Sequence, residues 1–190
     1  NPFAERQLGV KTLRNAAAAL DIYRVTSPVA TLLQTVNVGA PFQYAFSPDG
    51  SRVAIVRNDG RAFVVDLGAS PANSDVAAAS SVPTLLKPPH AVAWHRGGNA
   101  FAVVGVKPTT TAVTPTFAVV RASPGAPMSV IQTNPVPVPS FLDPSRVGPI
   151  AIAYAVDGNR FVLAASGPRP NLGEFANFAA TASTQSSGRI

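Results

Sequence analysis

Residues 46 to 54 read Phe46-Ser47-Pro48-Asp49-Gly50-Ser51-Arg52-Val53-Ala54, and the phrase returns twice in degraded form. The second copy runs from Trp94 through Gly98 to Ala102, and the third from Tyr154 through Gly158 to Val162. Each copy sets an aromatic residue four places before a Gly and an apolar residue three places after it, and Ala45, Ala93 and Ala153 precede the three aromatics. The glycines at 50, 98 and 158 put successive copies 48 and 60 residues apart. Chemically each copy is a turn between two apolar segments: Pro fixes φ, Asp bonds nearby backbone donors and Gly accepts positive φ.

Working outward from the first copy, Phe42–Phe46 and Arg52–Arg57 read as strands on either side of that turn. Asn58-Asp59-Gly60 is a tight hairpin signal, leading into a third strand at Arg61–Leu67. A polar Ala/Ser-rich loop runs to residue 81, and a weak fourth strand follows at Val82–Leu86. The second copy repeats the plan with His90–Trp94, Ala100–Val106, Thr116–Arg121 and Met128–Thr133, with a longer connection at Lys107–Pro115. Prolines at 135, 137, 139, 144 and 149 exclude a central strand and make 134–149 a stiff connector. The third copy supplies Ile150–Tyr154 and Arg160–Ala165. On the N-terminal side, Leu20–Val25 and Ala30–Val38 read as strands. Residues 3–20 read as a short helix or an arm, since Ala, Leu, Arg and Lys are good helix formers.

Four short antiparallel strands per repeat, at a period near 50 residues, make a propeller-type blade. Phe46 to Ile55, with Asn58-Asp59-Gly60 and Phe63-Val64-Val65-Asp66-Leu67, resembles a blade of the WD-repeat-like β-propeller family. The resemblance covers residues 20 to 165. The Trp-Asp dipeptide is missing, with Val65-Asp66 near its place, and Pro89-His90 is a loose echo of the Gly-His that opens many such blades. The expectation is an all-β chain of about three antiparallel propeller-like blades in an incomplete ring, with an extended or short helical N-terminal arm. Its parts are an arm (1–19), a propeller-like domain (20–170) and a C-terminal tail (171–190). The domain divides into a half blade (20–38), two blades (39–88, 89–148) and a second half blade (149–170). In blade order, 20–38 supplies a third and a fourth strand, and the C-terminal half blade a first and a second.

Composition bounds the function. Hydrophobic residues make up 46% of the 190 and charged residues 13%, so the core is ample and the surface unusually uncharged. The net charge of +6 comes from 12 Arg and 3 Lys against nine acids, scattered along the chain with no run of like charge. That disfavours nucleic acid, which demands basic residues clustered on one face. Absence of Cys excludes disulfides and Cys-bound metal. No apolar run reaches the ~18 residues of a membrane-spanning helix.

Catalytic signals are weak. His90 and His95 are five apart and on one strand would face opposite sides, which argues against a shared metal site. Asp49, Asp59 and Asp157 sit in turns, where turn chemistry accounts for them. No Gly-x-Ser-x-Gly elbow occurs. Phe46, Trp94 and Tyr154 occupy equivalent places and read as packing aromatics. The resemblance implies a rigid, non-enzymatic platform for assembly, and the residues themselves lead us to expect no cofactor and no metal. Ser-Pro-Asp-Gly repeats of this kind also occur in phage virion proteins and bacterial periplasmic propellers. The expected role is therefore a structural or interaction subunit of a larger assembly, first a phage tail or capsid-associated protein. The alternatives are a bacterial extracytoplasmic propeller scaffold and a small-ligand propeller, lectin-like or enzymatic. Protein partners, other copies of the chain among them, are expected at Arg6, Lys11 and Arg14 on the arm and at Phe175 and Phe178 on the tail.

Overall fold

A computed structural model describes residues 6–14, 17–26, 29–67, 72–75, 79–108, 113–136, 148–154, 160–168 and 175–183. All regular structure among them is β. The strands are β1 (Arg6–Arg14), β2 (Ala17–Thr26), β3 (Val29–Asn37), β4 (Phe42–Phe46), β5 (Arg52–Arg57), β6 (Arg61–Asp66), β7 (Ala72–Asp75) and β8 (Ser81–Pro83). They continue as β9 (Pro89–Trp94), β10 (Ala100–Pro108), β11 (Val113–Arg121), β12 (Ser129–Pro135), β13 (Gly148–Tyr154), β14 (Arg160–Pro168) and β15 (Phe175–Ser183). They form four sheets: β1-β2-β3-β7, β4-β5-β6-β8, β9-β10-β11-β12 and β13-β14-β15.

The repeated phrase produces the same hairpin three times. Phe46 pairs with Val53, Trp94 with Phe101 and Tyr154 with Phe161, a constant offset of seven. In the first two turns the residue after the aromatic (Ser47 or His95) donates its N–H across the hairpin, to Arg52 and Ala100. Its own carbonyl accepts from Gly50 or Gly98, whose φ values are 69° and 70°. A side chain at φ near 70° is strained, which is why Gly recurs here. The third turn, with Gly158, lies outside the described residues.

A second repeated bond fixes where each strand belongs. The residue one or two places past a fourth strand donates its N–H to the carbonyl at the start of the third. In the second blade this is Thr84 to Gly60, 2.7 Å, and in the third Val136 to Pro115, 2.9 Å. Val38 makes the same bond to Ala18, 2.9 Å. That makes β2 and β3 the third and fourth strands of the first blade, as expected for 20–38, and β1 its second strand. The first blade thus has no first strand among the described residues. The fourth blade has a first, second and third strand and no described fourth.

Of the two forms expected for the N-terminal residues, short helix or extended arm, residues 6–14 take the extended one, as a strand, and residues 17–20 open β2. Antiparallel pairing of β1 along all nine residues, from Arg6↔Val25 to Arg14↔Ala17, overrides the helical propensity of its Leu, Lys and Arg residues. Likewise part of the tail, 175–183, is β15, paired with β14 over nine positions. Both end blades therefore carry one strand more than the half blades expected. Residues 72–75, inside the loop between β6 and β8, form β7, which pairs in parallel with Gln34–Asn37 of β3. That covers the outer edge of the first blade, an edge that would otherwise offer free backbone groups.

Three apolar layers lie between successive blades. Leu20, Ile22, Val36 and Val38 meet Phe42, Val53, Ile55, Phe63 and Val65. Ala54, Val56, Ala62 and Leu86 meet Trp94, Phe101, Val103, Ala118 and Val120. Ala102, Val104, Phe117, Val119 and Val136 meet Phe161, with Ile152 and Tyr154 half-buried beside it. Each second strand alternates faces with period two. In β5, Val53 and Ile55 point back to the first blade and Ala54 and Val56 forward to the third. In β10, Phe101 and Val103 point back and Ala102 and Val104 forward. First strands lie side by side, β4 against β9 and β9 against β13.

Candidate interaction surface

Two features of this array present surface that the repeat pattern would cover. The first is the forward face of the fourth blade. The register makes Val162 the equivalent of Ala54 and Ala102, one residue beyond the paired apolar position. Ala54 and Ala102 are 0% exposed beneath the next blade, whereas Val162 is 40% exposed. Ala153, its cross-strand partner, is also exposed. Among the described residues no blade follows this face.

The second feature is the hub side of the first blade. In the other three blades a first strand pairs with the second: β4 with β5, β9 with β10 and β13 with β14. Here β1 is the end strand of its sheet. Side chains of the neighbouring β4 lie against it. The Tyr44 hydroxyl donates to the Gly9 carbonyl. A Cβ on Gly9 would stand 2.6 Å from Tyr44 Cε2, so only Gly admits the ring this close. Lys11 Nζ donates to Gln43 Oε1 at 3.2 Å and lies 5.2 Å and 5.7 Å from the centres of the Phe42 and Tyr44 rings. Partial burial lowers the Lys11 pKa and raises that of Tyr44. The charged ammonium is favoured by the ring faces.

Of the residues expected to contact partners, Arg6, Lys11 and Arg14 therefore share one strand, β1. Phe175 and Phe178 lie on β15, opposite Pro168 and Ala165. The side chains of Arg6, Arg14, Phe175 and Phe178 lie outside the described residues.

The blade junctions are tied by polar side chains. Arg52 is 8% exposed, and its guanidinium donates to the carbonyls of Ala122 and Gly98 in the third blade. Trp94 Nε1 donates back to Ala45 O in the second, 2.8 Å. Sequence reasoning missed Arg52, because an Arg after a turn resembles any solvated charge. Trp94 at its expected aromatic position was the available signal, since a buried indole N–H takes a partner. The equivalent Tyr154 hydroxyl is buried, and burial raises its pKa well above the usual range.

The acidic turns behave as expected. Asp49 accepts from the Ser47 hydroxyl (2.6 Å), the Ser51 N–H (3.0 Å) and the Ser51 hydroxyl (2.8 Å). These bonds, Ser47's first, pull its pKa from 3.8 to about 2. Asp59 accepts from Arg61 N–H and pairs with Arg57. His90 lies on β9, and His95 follows that strand with Nδ1 accepting from Gly97 N–H and its ring edge-on to Tyr154. Among the described residues no three His, Cys, Asp or Glu side chains cluster at metal-binding distance. Among the described residues no helix is long and apolar enough to cross a membrane.

No protein-family model and no curated protein sequence matches this chain. Solved structures do match in fold. Hsv2 of Kluyvelomyces marxianus aligns with TM-score 0.53 and 10% identity over 82% of this chain and 45% of that one. The β-propeller domain of Cps50 (Swd1) from Myceliophteria thermophila aligns with TM-score 0.52 and 12% identity over 84% and 52%. A putative 6-phosphogluconolactonase of Bacteroides uniformis aligns with TM-score 0.54 and 14% identity over 90% and 53%. The chain thus spans about half the length of these structures. At such identities the likeness is one of fold: an all-β array of propeller-type blades that does not close into a ring.

Proposed function

We propose that this chain is a non-enzymatic interaction scaffold, a subunit that works by packing against protein partners in a larger assembly. The observation that carries the reading is Val162, exposed on a face whose two equivalents are fully buried. An apolar blade face of that kind is made to be covered. The low charge of the surface supports the same reading. So do the strand starts at the hub, Phe42 and Pro89, which are buried and apolar.

The narrower form of the proposal is a structural protein of a phage virion, in the tail or associated with the capsid. Its support is the Ser47-Pro48-Asp49-Gly50 phrase, low Lys, abundant Ala, Val, Arg and Pro, and the absence of Cys. An extracytoplasmic bacterial scaffold has the same support. A ligand-binding or enzymatic propeller draws only on the fold shared with the putative 6-phosphogluconolactonase.

Native mass spectrometry of the protein isolated from its own source, read against the mass of its denatured polypeptide, tests the scaffold reading. A native mass well above that of one polypeptide is expected, and Val162→Glu should reduce it to that value. A stable, folded species with the mass of a single polypeptide from the native source overturns the reading. Recovery of the chain in purified particles separates the virion form from the extracytoplasmic one.

A further inference from the structure

We propose that β7 is a displaceable cover, and that the edge of β3 beneath it docks an extended, uncharged strand of a partner protein lying parallel to β3. The proposal deepens the scaffold reading by giving it a mode of binding and a partner chemistry.

The edge already accepts such a strand. Ala72–Asp75 pairs in parallel with β3, position by position from Gln34↔Ala72 to Asn37↔Asp75. β7 comes from the connection between β6 and β8 of the second blade, yet it joins the sheet of the first. The geometry of strand addition is therefore present within the chain, with direction and register set. A strand added in this way takes its affinity from main-chain bonds and its specificity from alternate side chains.

The strand now in place is a weak one. It has four residues, Ala72-Asn73-Ser74-Asp75, and Ala, Asn and Asp are all depleted in strands. Parallel pairing is slightly less stable per residue than antiparallel. β7 is the end strand of its sheet, with β3 as its one neighbour there. On the other side of β3, the ten-residue β2 pairs from Ala19↔Asn37 to Thr26↔Val29. Parting β7 from β3 therefore costs less than parting β2 from β3, and the first event leaves the second pair intact.

β3 itself selects the replacement. Its sequence Val29-Ala30-Thr31-Leu32-Leu33-Gln34-Thr35-Val36-Asn37 holds no charge and no Pro, the devices that commonly guard an edge. Gln34, Thr35 and Val36 are buried, whereas Val29 and Leu32 are 56% and 47% exposed. A longer strand rich in β-branched residues makes the backbone bonds of β7 and adds contacts with those two side chains. It displaces β7 on both counts.

The test uses a fluorescein-labelled, terminally blocked nine-residue peptide of alternating Thr and Val, titrated into the whole chain and followed by anisotropy. Companion peptides are the Thr/Glu version and two N-methylated versions that block one peptide edge or the other. Saturable binding of Thr/Val is expected, about fivefold or more tighter than that of Thr/Glu. One N-methylated version should lose binding and the other keep it, because an added strand uses one edge. Two β7 variants should act in opposite directions. Asn73→Val with Asp75→Val strengthens the cover and should weaken peptide binding by about fivefold, the span of the strand scale. Asn73→Pro with Ser74→Pro breaks the cover and should tighten binding by a similar factor. Hydrogen exchange reads the same opening in the free chain: alternate amides of Gln34–Asn37 should exchange faster than those bonded to β2, and slow when the peptide is bound. No saturable binding overturns the proposal, as does binding that neither β7 variant changes. Uniformly slow exchange along Gln34–Asn37 in the free chain also overturns it, since the cover would then be fixed. Equal binding of Thr/Val and Thr/Glu overturns the partner chemistry, and so does self-association of the Pro variant without peptide binding. High native mass without peptide binding removes the docking edge and leaves the scaffold. Peptide binding by a native monomer does the reverse.

Discussion

The Arg52 guanidinium carbon lies 5.0 Å from the centre of the Trp94 ring, and the two side chains cross the junction between the second and third blades in opposite directions. Arg52 reaches forward to the carbonyls of Gly98 and Ala122, and Trp94 reaches back to that of Ala45. Each thus satisfies backbone groups of the other's blade while their faces stack. A buried Arg is tolerable only with its donors occupied.

Arg52→Ala leaves two carbonyls without their donor and removes the stacking contact. It should lower stability by about 3 kcal/mol, the scale of charged hydrogen bonds plus a desolvated cation–π contact. Arg52→Lys keeps the charge but not the planar fork and should recover less than half of that. Urea unfolding measures both, and equal stability of wild type and Arg52→Ala would show that the junction does not depend on this residue.

Trp94→Ala and Phe101→Ala remove a cross-strand pair whose rings lie 5.3 Å apart at 7% and 0% exposure. Each should cost ~3–5 kcal/mol. Trp94→Phe keeps most of the volume and loses the bond to Ala45, so about 1–2 kcal/mol is expected. Costs below about 1 kcal/mol for both Ala variants would place these rings outside the core.

The fold was legible where chemistry is local. Asp-Gly turns, alternating apolar segments and one repeated aromatic located β2 to β6 and β8 to β14 to within a few residues. What was not legible depends on partners distant in sequence. Gly9 and the helix-forming Leu, Lys and Arg gave β1 no strand signature, and the alanines before Leu20 hid the start of β2; the conformation of β1 is set by β2 and by the Tyr44 ring. Ala72–Asp75 has no strand propensity at all, and β7 exists because the edge of β3 is there to pair with it. Of the candidate surface, the cations of β1 could be read from the sequence. The contact of Tyr44 with Gly9 could not, because it joins residues 35 apart in the chain.

Asp49 gives the structure an acid-sensitive turn. Its folded pKa, about 2, lies below the ordinary 3.8 because two Ser47 and Ser51 hydroxyls and the Ser51 N–H bond the carboxylate. A depressed folded pKa means stability that is fully present above the unfolded value and lost as pH falls through the folded one. The contribution should therefore be intact at pH 5 and fade from about pH 4 to about pH 2. Asp49→Asn should flatten the stability profile in that window and leave its shape above pH 5 unchanged. An identical acid limb in wild type and variant would remove Asp49 from the titrating set.

Val162 and Ala102 are equivalent in register and opposite in environment, so the same substitution should separate them. Val162→Glu should change the stability of the isolated chain by less than about 1 kcal/mol, as at an exposed strand site. Ala102→Glu buries a carboxylate between two blades and should prevent folding. Truncation of residues 171–190 is less informative, because it removes β15 and leaves β14 with an unpaired edge. If Val162→Glu unfolds the isolated chain, the face is already core and the assembly reading loses its main support.

Gly9 and Tyr44 provide a test of how β1 sits against the second blade. An added methyl at Gly9 would lie 2.6 Å from Tyr44 Cε2 and 3.0 Å from Leu20 Cδ1, so the ring or the strand must shift. Gly9→Ala should cost ~1–3 kcal/mol, the range for overpacking. Tyr44→Phe removes only the hydroxyl bond to the Gly9 carbonyl, for about 1 kcal/mol. Tyr44→Ala removes the obstacle itself, so Gly9→Ala should cost less in that background than in wild type. A coupling of at least about 1 kcal/mol across this double-mutant cycle is expected for residues in direct contact. Strictly additive costs would mean that β1 is not held against Tyr44.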